Sequence, residues 1–106
     1  MRRISNVEVY RLVEELRNTI VGCRVGNIYQ ISKNLFSIMF RGREKIEVII
    51  IPGFALFITN YVWKKPEKPT SFAMALRKFV RGLRVLNVYQ HDFERIVVFH
   101  LGFEKI

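Results

Sequence analysis

The stretch LRNTIVGCRVGNIYQ, residues 16–30, returns without a gap as LRKFVRGLRVLNVYQ, residues 76–90. Leu, Arg, Gly, Arg, Val, Asn, Tyr and Gln recur in place, eight identities in fifteen positions. The period is too long and the copies too few for a solenoid, so the stretch reads as a helix, glycine stop, strand and hairpin unit used twice. Two such units can share one core around a pseudo-two-fold axis, with the intervening strands completing the sheets. Gly22 and Gly82 are then helix ends, Val25 and Val85 core, and Tyr29 and Tyr89 strand aromatics.

Working outward from the first copy, Ser5 is an N-cap candidate with Glu8 three residues on. Val9, Leu12, Val13, Leu16 and Ile20 form one apolar stripe, which predicts a helix over Ser5 to Ile20. Beyond the first copy, strand character runs through Arg24–Ile31, Leu35–Phe40, Lys45–Ile51 and Ala55–Asn60, with turns at SKN, RGRE and PGF. The run IEVIII is continuous where it could alternate, which predicts a central strand covered on both faces. WKKPEKPT, residues 63–70, reads as an extended polar connection, and Thr70 caps a second helix carrying Phe72, Ala75, Leu76, Phe79, Val80 and Leu83 on one stripe. Strands at Arg84–Gln90 and Arg95–Phe103 close the chain.

At 106 residues with half of them hydrophobic, the chain can bury a core without staples and counts as one domain. The lone Cys23, with His91 and His100, gives neither a disulfide nor a metal-ligand spacing, so no metal or cofactor is expected and a reducing compartment is. Glu8, Arg11, Glu14 and Glu15 interrupt any signal-peptide core, and no apolar run is long enough to span a bilayer. A cytoplasmic domain without a membrane partner is the expectation. Eighteen Lys and Arg against nine Asp and Glu leave a net charge of +9, which favours a polyanionic partner, nucleic acid foremost. Arg77, Lys78, Arg81 and Arg84, on or just beyond the second helix, are electrostatic candidates, with Lys64, Lys65 and Lys68 as a mobile supplement. The repeat breaks after its second copy: Asn34 and Leu35 fall opposite Glu94 and Arg95, an acid beside a guanidinium in one copy only. A site grafted on a duplicated scaffold has that form.

RISNVEVYRLVEELRNTIVGCRVGNIYQ, SFAMALRKFVRGLRVLNVYQ and DFERIVVFHL together resemble the N-terminal domain of the NFACT family, the fibronectin-binding-protein-A-like factors of ribosome-associated quality control. The resemblance runs from Arg3 to about Leu101, and it identifies residues 1–106 as such a domain, a fragment or short form of a longer multidomain protein. It implies an α+β fold: a mainly antiparallel two-sheet β-sandwich flanked by two helices, related to the N-terminal domain of formamidopyrimidine-DNA glycosylases. It further implies tRNA binding in a factor that recruits tRNA to obstructed large ribosomal subunits for untemplated C-terminal tailing. By position the tRNA-binding residues are Glu8 in the first helix and the pair Glu94-Arg95. Both acids are Glu where the family usually carries Asp, which keeps the charge and moves the carboxylate by one methylene.

Glycosylases of that fold use the freed amine of a proline directly after the initiator Met as nucleophile. This chain has Arg2-Arg3 there, so no catalytic residue is assigned and no enzyme activity is expected. The alternative to tRNA binding is a scaffold, a protein-interaction domain or a general polyanion binder on a glycosylase-like fold.

Overall fold

The structure, a computed structural model, describes residues 5–91 and 96–103. Helix α1 spans Asn6–Ile20 and α2 spans Ser71–Val80. The strands are β1 (Arg24–Ser32), β2 (Leu35–Arg41), β3 (Lys45–Ile51), β4 (Ala55–Thr59), β5 (Arg84–Gln90) and β6 (Val97–Gly102). Each falls on a segment of strand character between turn residues, β6 beginning at Val97 and ending at Gly102 inside the expected Arg95–Phe103.

Both helices begin and end as their sequences dictate. Ser5 caps α1 and Thr70 caps α2, their hydroxyls accepting from the backbone N–H of Glu8 and Ala73. After each helix the chain turns through a glycine with positive φ, 93° at Gly22 and 87° at Gly82, a conformation that a side chain would oppose.

The predicted two-sheet sandwich is replaced by one six-stranded antiparallel sheet, in the order β4-β3-β2-β1-β5-β6. The cause lies at the centre of the repeat. Arg24 of β1 pairs with Arg84 of β5, and around this pair the two copies exchange matching backbone bonds. Gly22 N donates to Val85 O and Gly82 N to Val25 O; Val25 N donates to Leu83 O and Val85 N to Cys23 O, all at 2.8 Å. Those bonds join the two copies edge to edge, so their strands form one continuous sheet.

The sheet curls. Phe40 of β2 stacks on Phe99 of β6 with ring centroids 6.2 Å apart, although two strands lie between them in the sheet order. Val9, Val13, Leu16 and Ile20 of α1 fill the core with Val25, Ile28, Phe40, Val48, Val85 and Val88, and Leu76 and Val80 of α2 pack against it. The helices cross over: α1 packs on β5 and α2 on β1, each on the strand of the other copy. Where the edge strands approach α1, an apolar groove of about 450 Å³ remains between the β3–β4 turn, β6 and Val9.

The expectation for IEVIII holds in part. Val48 and Ile49 are consecutive and both fully buried, so the sheet is covered on both faces there. β3 is an interior strand, but second from the edge.

Candidate nucleic-acid interface

The end of the second copy meets the start of the first helix. Gln90, the last residue of β5, donates its side-chain N–H to Asn6 O at 3.2 Å. Glu8 stands half-buried in the first turn of α1, where its Oε1 accepts from Ser5 N at 2.9 Å and its own N–H donates to Ser5 Oγ at 3.2 Å. This reciprocal capping box gives Glu8 a structural task whatever else it does. Beside it lies a depression of about 220 Å³ lined by Tyr10, Val13, Glu14, Arg17, Tyr89 and Gln90. Glu94 and Arg95, the pair expected here, lie outside the described residues.

The seven candidate cations divide in two. Lys64, Lys68, Lys78 and Arg81 are exposed, with their charged groups available to a partner. Arg77 is half-buried: its Nε donates to Ile28 O at 2.8 Å and its guanidinium lies 5.0 Å from the Tyr29 ring centroid. Arg84 donates from Nη1 to Gly22 O at 3.0 Å. Lys65, expected as part of a mobile supplement, is fixed instead. Its Nζ pairs with Glu47 at 2.7 Å, donates to Trp63 O at 2.9 Å and lies 5.5 Å from the Tyr29 ring centroid. The carboxylate that holds it comes from β3, a partner that a reading of WKKPEKPT by itself could not supply.

Sequence reasoning missed a second group of cations. Lys45 of β3 pairs with Arg41 of β2, Arg41 with Arg24 of β1, and Arg24 with Arg84 of β5. Four strands thus place four cations in one row at one end of the sheet. Partners in register project to the same face, and at strand spacings of about 4.8 Å the row is roughly 14 Å long. The signal available in the sequence was the density of RGREK, three cations in five residues, which reads as a turn.

On the same face, Tyr29, Met39, Lys45, Glu47, Tyr61 and Lys65 line a cavity of about 390 Å³. Glu47 accepts from the fully buried Ser37 hydroxyl as well as pairing with Lys65, so its charge is balanced. Tyr61 is 69% exposed and packs edge-on against Trp63, centroids 5.3 Å apart. Both are anchored to Thr59, whose Oγ1 accepts from Tyr61 N at 3.0 Å and from Trp63 Nε1 at 3.2 Å.

Cys23 is buried, which pushes its thiol up from the ordinary range and makes it a poor nucleophile. Among the described residues no cluster of His, Cys, Asp and Glu could hold a metal ion, and no helix is long and apolar enough to cross a membrane.

Residues 5–105 match the family described as NFACT N-terminal and middle domains. Among curated proteins, the chain is 35% identical over 104 residues to the archaeal Rqc2 homolog aRqcH of Methanocaldococcus jannaschii, covering 92% of this chain and 15% of that protein. It is 29% identical to the ribosome quality control complex subunit NEMF of Mus musculus, covering 97% of this chain and 10% of that protein. The chain thus spans a small part of the curated relatives it matches. Among solved structures, the N-terminal part of the fibronectin/fibrinogen-binding protein from Streptococcus suis superposes with a TM-score of 0.87 at 22% identity, over 92% of this chain and 38% of that one. That likeness is one of fold. With the family matched along almost its whole length and relatives that are ribosome quality control subunits, this chain belongs to the NFACT N-terminal domain family.

Proposed function

We propose that this chain is the tRNA-binding domain of a ribosome-associated quality control factor, acting in the cytoplasm to recruit tRNA to obstructed large ribosomal subunits for untemplated tailing. The observation that carries the reading is the contact of Gln90 with Asn6, which brings the strand leading to residues 92–95 against the helix turn that holds Glu8. Gln90 and Asn6, 84 residues apart in sequence, thereby become neighbours, and Asn6 stands in the helix turn that holds Glu8. A net charge of +9 and the ribosome quality control roles named for the relatives agree with it. In this reading Arg95 meets a phosphate, and Glu94 orients that guanidinium or accepts from a base edge or 2′-hydroxyl.

The test is fluorescence anisotropy of labelled tRNA at two salt concentrations. Native affinity should fall steeply with salt. The Glu94→Ala plus Arg95→Ala variant should lose at least tenfold, and unchanged binding would remove the site. Glu8→Gln separates the two tasks of that residue. A Gln can still close the capping box, so stability should hold while any charge-dependent tRNA contact is lost.

The apolar groove beside β6, with Phe54 exposed at the β3–β4 turn, favours a second reading, a protein-docking scaffold whose basic surface is incidental. Equal competition by tRNA and by duplex DNA of matched charge would support the scaffold.

A further inference from the structure

The second helix is unlike the first on its outer face. Under the shift that superposes the two copies, Glu14, Glu15 and Thr19 of α1 correspond to Met74, Ala75 and Phe79 of α2, and all of these are exposed. The apolar stripe that the sequence marks on α2 is therefore split. Leu76 and Val80 pack against the core and Ala73 is fully buried, while Phe79 is 74%, Met74 56% and Phe72 53% exposed. Phe72, Ala75 and Phe79 stand at i, i+3 and i+7, which sets them along one line of the helix about 10 Å long. Phe36 of β2 meets Phe72 edge-on, ring centroids 5.5 Å apart, and carries that line onto the sheet. None of these residues lines the groove beside β6. The fold keeps the equivalent face of α1 polar, so the phenylalanine and methionine on α2 answer no need of the scaffold.

Charge decides what kind of partner the face fits. No Asp or Glu stands between Glu67 and Asp92, whereas α1 carries Glu8, Glu14 and Glu15 beside Arg11 and Arg17. Lys78, one turn beyond Met74, and Arg81 at the C-cap are exposed and make no ion pair among the described residues. We propose that the outer face of α2 docks an acidic amphipathic helix of a partner protein, whose apolar side chains pack on Phe72, Ala75 and Phe79 and whose carboxylates reach Lys78 and Arg81. The inference is independent of the tRNA reading, which rests on α1 and the end of β5. A second copy of this chain fits poorly, because it would set Lys78 and Arg81 against their own counterparts. Phe72, Met74 and Phe79 also expose only roughly 350 Å², well below the ~800 Å² per partner of a stable dimer of whole domains and enough for one short helix. Nucleic acid fits poorly as well, since Met74 and Ala75 offer a base neither a hydrogen bond nor a ring to stack on.

The experiment measures binding of the whole chain to a fluorescein-labelled helical peptide with Leu at alternating third and fourth positions and Glu beside them, and to the same peptide with Lys in place of Glu. The Glu peptide should bind with a micromolar Kd and the Lys peptide at least tenfold more weakly. Met74→Gln plus Phe79→Thr gives α2 a polar outer surface like that of α1 without changing charge, and should weaken Glu-peptide binding at least tenfold. Lys78→Gln plus Arg81→Gln should weaken it about threefold and flatten its salt dependence. Loss of fold is separated by thermal melting: Met74 and Phe79 are exposed, so the melting temperature of their variant should hold. The inference falls if that variant binds the Glu peptide as the native chain does, if the native chain binds neither peptide, or if it binds both equally, the contact then being unspecific apolar adhesion. It also falls if light scattering shows a native dimer that Met74→Gln plus Phe79→Thr makes monomeric, because a second copy then occupies the face. The tRNA affinity of this variant should equal the native value, and a loss would make the face an RNA contact and overturn the inference. Unchanged tRNA binding by the Glu94/Arg95 variant would remove the site of the proposed function and leave this inference standing.

Discussion

Arg17 and Arg77 occupy the same place in the two copies of the repeat and reach the equivalent carbonyl of the other copy, Val88 O at 3.2 Å and Ile28 O at 2.8 Å. Around Arg77 the site is closed: Tyr29 lies against the guanidinium, Lys65 approaches the same ring, and the connection running into Thr70 is fastened by a 2.7 Å bond from its hydroxyl to Gln30. Around Arg17 the described residues leave it open. Its side chain is 44% exposed, its carboxylate neighbour Glu14 stands 3.8 Å away, and Tyr10 and Tyr89 flank a depression. The difference comes from what precedes each helix. α1 runs 15 residues from its cap, whereas α2 has only 10, and the proline-rich segment before it turns along the sheet instead. Among the described residues, one scaffold thus yields a sealed half and an open half.

The largest break in the comparison is expected in the core. Leu16 is fully buried and its counterpart Leu76 only partly, so Leu16→Ala should cost about 3 kcal/mol in urea denaturation and Leu76→Ala about half that. Equal losses would mean that the second helix is as deeply seated as the first. Next come the arginines. Arg77→Ala should cost about 2 kcal/mol, because it strips a half-buried carbonyl of a charged donor. Arg17→Ala, in the open half, should cost less than about 1 kcal/mol. The smallest difference is expected at the glycines. A methyl group added at Gly22 or Gly82 meets nothing within 4 Å, so Gly→Ala at either should cost about 1 kcal/mol through backbone conformation alone. Matching melting temperatures for those two variants would confirm that the copies remain equivalent at the point where they join.

Local features were legible in the sequence because their causes are local. Ser5 and Glu8 announce a helix start, Gly22 and Gly82 announce ends, and apolar runs between turn residues mark strands in residues 24–60, all within a few residues of what they specify. The sheet order was not legible. Whether Arg24 pairs with Arg84 in one sheet or faces it across two depends on which edges meet, and periodicity carries no term for that. The same limit hid the basic row, whose members stand at 24, 41, 45 and 84 and become adjacent only through register. It hid the fixing of Lys65 for the same reason, since Glu47 arrives from another strand. The capping role of Glu8 was readable from Ser5-x-x-Glu8, and the juxtaposition of that turn with Gln90 was not.

The crossing of the helices, α1 on β5 and α2 on β1, makes the molecule the equivalent of a domain-swapped homodimer written on one polypeptide. Neither copy can bury its own helix, so each is the other's template, and the connection between Asn60 and Thr70 serves as the tether that keeps their mutual concentration high. In such an arrangement the two halves are free to diverge at their outer ends, as long as the reciprocal bonds between Gly22, Val25, Gly82 and Val85 are kept.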